Sequence, residues 1–203
     1  MPTAQIVSTI SVGGVEFASN VSRTAEGQIS HVVVIPAGAA GKRAADGVDN
    51  LVTGHGFVTS NVIDVHWTDP TDGVTHKVRR GLTVDGATAN AITFDETPPA
   101  LGDTFPAVGT DVVISLITGI GSVWDGDLLE MIAMKATGRL MAEFWDGGVQ
   151  YVPQKLATEQ ALTWVAGQGV TNPYTGSPVA VIRVSNGTIV AVTYTLGLLY
   201  QSV

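Results

Sequence analysis

Three histidines and one aspartate in the first half of the chain are of the types that bind metal ions in proteins: His55, Asp64, His66 and His76. Asp64 and His66 are two residues apart in an apolar run that predicts a strand, so their side chains share one face. A metal site needs such convergent ligands, but this spacing matches no known metal motif. We therefore expect structural hydrogen bonds here, and we keep open a metal-dependent hydrolase that uses His55, Asp64 and His66.

An acidic stretch further along the chain is a second place where a cation could bind. Residues 125–130 (DGDLLE) gather three carboxylates, and calcium binds to several closely spaced oxygen ligands. Leu129 stands where a calcium loop places its third ligand. The stretch therefore predicts a turn that leads into a strand.

The motifs of nucleotide binding and nucleophilic catalysis are incomplete. Residues 38–43 (GAAGKR) resemble the end of a phosphate-binding loop, but Pro36 replaces its first glycine and Arg43 replaces the residue that holds magnesium. The chain contains no cysteine and no Gly-x-Ser-x-Gly motif. We therefore predict that the protein is not an enzyme and has no catalytic residue, cofactor-binding residue or metal ligand.

Residues 76–80 (HKVRR) form the basic cluster of the sequence. The whole chain has 10 basic and 18 acidic residues, a formal net charge of −8, which opposes direct contact with nucleic acid. Lys77 and Arg79 would share one strand face. We expect these cations to pair with carboxylates of a neighbouring strand or subunit.

The four tryptophans are scattered along the chain, at Trp67, Trp124, Trp145 and Trp164. In a β protein such rings usually lie in a core or an interface. An exposed Trp or Tyr could instead stack on a sugar. A β-sandwich module that binds carbohydrate or a receptor is therefore an alternative function.

Short strands separated by turns must position these residues, because Val, Ile and Thr are frequent between Asp-Gly and Asn-Gly pairs. The clearest predicted hairpin joins residues 179–185 to 188–196 through Asn186-Gly187. Asp85-Gly86 predicts a second hairpin between residues 80–84 and 91–94. Further strands are predicted at residues 5–10, 31–35, 62–67, 112–117 and 149–152.

Two segments fit a helix as well as a strand, residues 128–136 and 153–166, and we favour strands for both. A small, Gly-rich stretch at residues 118–122 predicts a boundary. The predicted fold is mainly β with little helix: two β-sandwich or barrel-like modules joined by a Gly-rich linker. The N-terminal β domain covers residues 1–118, with a possible extended arm at 1–43, and the C-terminal β-sandwich domain covers 119–203.

The composition predicts a protein that buries apolar surface against other subunits. Of the 203 residues, 45% are hydrophobic and only 14% are charged, with a mean hydropathy of +0.29. No apolar run is long enough to span a membrane, and no secretory signal is visible, so we expect folding in the cytoplasm. We therefore predict a homo-oligomer that binds neither a membrane nor nucleic acid directly.

Two parts of the chain resemble uncharacterised β-rich virion structural proteins of tailed bacteriophages and prophages. The first is residues 50–67 (NLVTGHGFVTSNVIDVHW) with 79–86 (RRGLTVDG), and the second is residues 167–176 (GQGVTNPYTG) with 184–187 (VSNG) and 196–200 (LGLLY). The resemblance implies a capsid-decorating, cement or tail-surface protein, located in the virion after assembly in the host cytoplasm. Its partners would be other copies and major capsid or tail subunits. The resemblance assigns no functional residue.

Overall fold

The computed structural model describes residues 3–6, 10–12, 15–17, 21–24, 27–95, 101–121, 128–146, 149–150, 153–165 and 181–201. This part of the chain contains strands and no helix, so the prediction of a mainly β protein is confirmed. In chain order the strands are β1 (Thr3–Ile6), β2 (Ile10–Val12), β3 (Val15–Phe17), β4 (Val21–Thr24), β5 (Gly27–Ile35), β6 (Ala39–Arg43), β7 (Gly47–Asp49), β8 (Val62–Thr68), β9 (His76–Ala87), β10 (Ile92–Asp95), β11 (Leu101–Gly102), β12 (Asp111–Leu116), β13 (Thr118–Gly121), β14 (Leu128–Ala136), β15 (Leu140–Asp146), β16 (Val149–Gln150), β17 (Gln154–Leu156), β18 (Ala161–Val165), β19 (Val181–Asn186) and β20 (Val192–Gln201).

Six antiparallel strands close into a barrel. The order is β7-β6-β12-β8-β9, and β10 closes the ring because it pairs with both β9 and β7. Alternate side chains of each strand point into a small barrel and fill it. The barrel core consists of Val48, Leu51, Phe57, Ile63, Val65, Trp67, Leu82, Val84, Ile92, Phe94, Val112 and Ile114.

Two other sheets pack face to face and form what we call the sandwich. One sheet has the order β18-β14-β20-β5, and the other has the order β13-β19-β15-β16, with β17 also paired to β15. The buried side chains between them come from both inner faces, as in sheets that pack in layers. They are Ile35, Ile132, Met134, Ala136, Leu140, Ala142, Phe144, Leu156, Ile182, Val184, Val192, Tyr194 and Leu196. The N-terminal strands form two small pairs, β1 with β4 and β2 with β3.

Most of the strand predictions are confirmed. Residues 31–35, 62–67 and 112–117 correspond to β5, β8 and β12, and the two segments that also fit a helix contain β14, β17 and β18. The predictions at residues 5–10 and 149–152 are confirmed for the residues that the structure describes there, in β1, β2 and β16.

The hairpin predicted at Asn186-Gly187 is wrong. The strands on either side exist, but β19 pairs with β13 and β15, while β20 pairs with β14 and β5. The connection therefore crosses from one sheet of the sandwich to the other. Asn186 is fully buried, and its side-chain amide donates to the carbonyl oxygens of Pro36 (2.9 Å) and Val190 (2.7 Å). Neither Asn186 nor Gly187 has the positive φ that a tight type I′ turn requires.

The hairpin predicted at Asp85-Gly86 exists, but its turn lies elsewhere. Asp85 and Gly86 are inside β9, and the turn to β10 is closed by the Thr88 N–H, which donates to the Ala91 carbonyl at 2.8 Å. Thr93 pairs with Gly86 and Phe94 with Val84, so Asp85 is an extra residue in the ladder. Here the Asp-Gly pair marks a β-bulge.

The Gly-rich linker predicted at residues 118–122 is not confirmed. Thr118–Gly121 is strand β13 and pairs with β19, and only Ile117 separates it from β12 of the barrel. The sandwich also includes β5, which precedes the barrel in sequence and pairs with β20. The division into domains 1–118 and 119–203 stays a prediction. Of the predicted arm at residues 1–43, β5 and β6 pair within the same chain.

Candidate functional site at the barrel–sandwich junction

Strand β8 is buried on both faces, which identifies the surface where the barrel meets the sandwich. Ile63, Val65 and Trp67 point into the barrel core. Asp64 and His66 alternate with them and point outward, yet each is only 1% exposed. The prediction that Asp64 and His66 share one face is confirmed. We call this contact the junction; it comprises Asp64, His66, His76, Arg80, Ser115, Arg139, Glu143, Lys155 and Ser185.

A β-bulge in β9 shapes the barrel side of the junction. Ile63 pairs with Leu82 and Val65 with Arg79, so β9 has one extra residue opposite Asp64. Gly81 provides it with φ at +71°, a conformation that favours glycine. The bulge directs the Gly81 N–H to the Asp64 carboxylate, at 2.9 Å.

A chain of hydrogen bonds crosses the junction from barrel to sandwich. The Ser185 hydroxyl of β19 donates to the Asp64 carboxylate, and its oxygen lies 3.1 Å from Nε2 of His66. Ser115 of β12 lies 3.3 Å from the same nitrogen. On the other side of the ring, Nδ1 of His66 lies 3.0 Å from Nε2 of His76, and the two imidazoles are stacked. Five side chains thus join three strands of the barrel to one strand of the sandwich.

Gly187 closes over the two imidazoles. A Cβ at this position would lie 3.1 Å from both Nδ1 of His66 and Nε2 of His76. These distances are shorter than most contacts of real Cβ atoms. Glycine after Asn186 therefore allows the backbone to approach the two histidines closely, although no hairpin turn is formed there.

A buried ion pair forms a second link across the junction. The Arg80 guanidinium donates to the Glu143 carboxylate of β15, and both side chains are less than 10% exposed. The other oxygen of Glu143 accepts the indole N–H of Trp145, at 3.1 Å. Burial of two charges is costly unless geometry and additional hydrogen bonds compensate. The Trp145 N–H provides one such bond.

The rim of the junction is more exposed and carries mixed charge. Lys155 of β17 donates to the Asp103 carboxylate at 2.7 Å and to the His76 carbonyl at 3.1 Å. Lys77 lies within 3.8 Å of carboxylate oxygens of Asp69 and Asp103. Arg139 donates to the Thr68 hydroxyl at 2.7 Å. Each of these contacts except that of Lys77 connects the barrel to the sandwich.

Burial shifts the protonation of the central groups towards their neutral forms. It raises the pKa of Asp64 to about 7, with a further contribution from the Glu143 charge. It holds the pKa of His66 well below its usual range, with His76 and Lys155 acting in the same direction. Burial, Arg139 and Lys155 lower the pKa of His76 to about 4.

The junction brings serine, histidine and aspartate together, but not in the order that activates a nucleophile. In a catalytic triad the carboxylate binds the ring nitrogen remote from the serine. Here Asp64 accepts from Ser185 itself, and that remote nitrogen faces His76. A cavity of about 290 Å³ reaches His66 and Arg139, yet Ser185 is not among its lining residues and is 1% exposed. The arrangement suits a structural contact between β8 and β19.

The predicted metal-ligating residues are only partly assembled. Asp64, His66 and His76 meet at the junction, whereas His55 lies between β7 and β8 and bonds to the Thr88 carbonyl (2.9 Å) and the Phe57 N–H (3.1 Å). Among the residues that the structure describes, no three His, Asp or Glu side chains converge as metal ligands would. The acidic stretch at 125–130 lies outside the described side chains.

Among the described residues, cations of the basic cluster and two of the tryptophans make contacts within this chain. The prediction that its cations pair with carboxylates is confirmed for Lys77 and Arg80. The Arg79 guanidinium lies over the ring of Phe105, at 5.6 Å. Trp67 is in the barrel core, and the Trp145 ring is covered on one side by the Arg183 guanidinium at 4.7 Å. The side chains of Trp124 and Trp164 are outside the described part.

Several junction residues are not evident from the sequence. Ser115, Ser185 and Glu143 are polar residues inside strands that are otherwise mainly apolar, with the sequences DVVISL, VIRVSN and LMAEFWD. Polar positions inside such strands are a signal for buried hydrogen bonds, because buried polar groups need partners. The partners themselves are 49 to 121 residues apart in sequence, from Ser115–His66 through Arg80–Glu143 to Asp64–Ser185.

Within the described part of the chain, no helix has the length and apolar character needed to cross a membrane. Comparison with protein-family models, curated proteins and solved structures gave no match.

Proposed function

We propose that this protein is a structural component of a tailed-phage virion that acts by self-association and by packing against other virion subunits. The observation that carries the proposal is an exposed apolar edge of the sandwich. β5 is the last strand of its sheet among the described residues, and its Val32 and Val34 are 62% and 64% exposed. Valines with such exposure on an edge strand are a template for pairing with another chain.

The apolar edge continues onto the neighbouring loop. Ile189 and Val190 are more than 60% exposed, and this loop is fixed to the start of the barrel because the Gly38 N–H donates to the Thr188 carbonyl at 2.9 Å. β5 and this loop together present four exposed apolar side chains, Val32, Val34, Ile189 and Val190. Exposed apolar surface that gathers several large side chains marks interaction sites.

Charge favours a second copy of this chain as the occupant of the β5 edge. The chain carries a formal net charge of −8, so two copies repel each other through most of their surfaces. Residues 27–41 and 184–203 contain no Asp, Glu, Lys or Arg side chain. Two copies can meet along this uncharged surface without placing like charges opposite each other, and edge strands can add to one another through backbone hydrogen bonds.

The virion assignment rests on the sequence resemblance, and the junction is compatible with it. A building block must keep a fixed shape under many contacts, and a buried, hydrogen-bonded junction provides such rigidity. The proposed location is the surface of a head or tail, after assembly in the host cytoplasm. The proposed partners are other copies and major capsid or tail subunits, with no direct contact to nucleic acid or membrane.

Light scattering coupled to size exclusion tests self-association. We expect an oligomer for the wild type and a monomer for the double variant Val32→Lys/Val34→Lys, because buried unpaired charges oppose pairing at the edge. The matched control is Val52→Lys/Val58→Lys, which changes two exposed valines of the barrel and should remain oligomeric. A wild type that stays monomeric and binds neither purified capsids nor tails would overturn the proposal.

An oligomer that persists in the β5 double variant would contradict the assigned edge. The virion assignment has its own test, which is to image assembled particles and locate the protein in them. We expect density for the protein at symmetry-related surface positions. Its absence from purified particles would contradict the assignment.

A further inference from the structure

We infer that the His66–His76 pair is an acid-sensitive latch, which holds the sandwich on the barrel while both imidazoles are neutral and releases it when both are charged. The inference is independent of the proposed function. It rests on the geometry of the pair: the rings are stacked with centroids 5.2 Å apart, and a single nitrogen–nitrogen contact of 3.0 Å joins them.

The hydrogen-bond chain through the pair closes only in certain protonation states. A neutral imidazole has one donor and one acceptor, so His76 can donate to His66, which donates to Ser185, which donates to Asp64. The chain also closes in the opposite direction when Asp64 holds a proton. When both rings are charged, the N–H groups of the two imidazoles face each other across 3.0 Å, and no rotation of a hydroxyl relieves this contact.

The second ring nitrogen of His76, Nδ1, is a further reason why the closed junction requires a neutral imidazole. Nδ1 of His76 is buried and has no hydrogen-bond partner in the described structure. A charged ring would carry an N–H there, and a buried donor without an acceptor is costly. In the chain that runs from His76 to Asp64, the neutral His76 ring carries its proton on Nε2 and avoids that cost.

The charged groups around the pair come from both sides of the junction. The barrel provides Asp64 on β8, Lys77 and Arg80 on β9, and Asp69 and Asp103 on the adjacent loops. The sandwich provides Arg139, Glu143 and Lys155. Arg139 and Lys155 oppose a positive charge on His76, and Asp103 favours one. Desolvation and the two cations prevail, so the folded protein keeps His76 neutral at pH values where a solvated histidine is charged.

The sign of the pH effect follows from proton linkage. His66 and His76 have lowered pKa values in the folded state. Their contribution to the stability of the folded state is therefore fully present above about pH 6.5, the usual histidine pKa. It is lost as the pH falls towards 4. Asp64 acts in the opposite direction, because its pKa is raised to about 7 in the folded state. The stability that its protonated form contributes is lost as the pH rises through that value. Between pH 4 and 6.5, opening takes up two protons at the histidines and releases one at Asp64. The net uptake of about one proton makes acid favour the open junction.

Hydrogen exchange of backbone amides, corrected for the intrinsic pH dependence of exchange, tests the latch in the full chain. In the wild type we expect the opening constant of peptides containing β8 and β19 to rise roughly tenfold per pH unit below pH 6.5. His76→Phe keeps a stacked ring without a titrating group and should lose most of this dependence. His55→Phe is the matched control, because His55 lies outside the junction, and it should retain the wild-type dependence.

An equal pH dependence in the wild type and His76→Phe would overturn the inference, as would a wild type whose junction peptides do not respond to pH. Nuclear magnetic resonance of the wild-type histidine rings provides a readout that needs no variant. We expect the rings of His66 and His76 to remain neutral at pH 5.5. Titration of both rings near pH 6.5 in the folded protein would also overturn the latch.

Discussion

The junction and the β5 edge reverse the usual distribution of polar and apolar side chains. At the junction, Asp64, His66 and Ser185 are almost fully buried. At the edge, Val32 and Val34 are mostly exposed. Buried polar groups demand particular partners at particular angles, whereas apolar contact is largely non-directional. The polar surface therefore fixes how barrel and sandwich meet in one chain, and the exposed apolar surface is the one that we propose for contact between chains.

The demand for particular partners explains why the polar surface lies between parts of one chain. A hydrogen-bonded contact such as Asp64–Ser185 joins residues 121 positions apart, and it is formed whenever the chain folds. The proposed contact between copies would form only after each chain has folded. Exposed valines suit that second step, since they need no partner in the free monomer.

The largest effect is expected at the buried ion pair of the junction. Glu143→Leu leaves the Arg80 guanidinium buried without its carboxylate and should lower the free energy of unfolding by about 3–5 kcal/mol. Arg80→Met/Glu143→Leu should recover most of that loss, because no charge then remains buried. Denaturant unfolding of the two single variants and the double variant measures the coupling.

The exposed ion pair of Lys135 and Glu159 is the control for that measurement. Both side chains are more than 40% exposed, so Lys135→Met should cost less than about 1 kcal/mol. If Glu143→Leu lowered the free energy of unfolding as little as Lys135→Met, the ion pair at the junction would contribute no more than an exposed ion pair does.

Neighbouring residues of β5 provide the next test. Ile35 is 1% exposed and belongs to the sandwich core, whereas Val34 points away from it. Ile35→Ala should cost about 2–5 kcal/mol, because it leaves a cavity. Val34→Ala should change stability by less than about 0.5 kcal/mol. Unfolding is to be measured at a dilution where light scattering gives a monomer, and equal costs would show that the outer face of β5 is also covered.

The sequence predicts β8 well and its surroundings poorly, for a physical reason. Alternation in Val62–Thr68 places Asp64 and His66 on one face, because a strand has a period of two. The outer face of β8 is buried because β19, more than 100 residues away in sequence, packs against it. No local sequence pattern predicts this contact. The same limit applies to Glu143, whose partner Arg80 is 63 residues away.

Asn-Gly and Asp-Gly pairs in the sequence also identified structurally important residues, although the turns predicted at them are not formed there. Asn186-Gly187 has the composition of a hairpin turn, but Asn186 serves as a buried amide and Gly187 as a close contact of two imidazoles. Asp85-Gly86 likewise marks a bulge. In each case glycine is present because the backbone needs space or an unusual conformation, and only the tertiary structure shows which.

A smaller effect than at Glu143 or Ile35 is expected at Gly81, where the test separates the strain of the backbone from the specific geometry of the junction. Gly81 and Gly73 both have positive φ (+71° and +67°), and a Cβ at either would contact nothing within 4 Å. Gly81→Ala and Gly73→Ala should therefore each cost about 1 kcal/mol, the strain of an L residue in this conformation. Gly73 lies in the turn between β8 and β9, whereas the Gly81 N–H holds the Asp64 carboxylate. Only Gly81→Ala should then change the pH dependence of stability between pH 4 and 7, which unfolding curves recorded across that range would show. Identical pH profiles for the two variants would mean that the bulge merely relieves strain and that the polar junction does not depend on it.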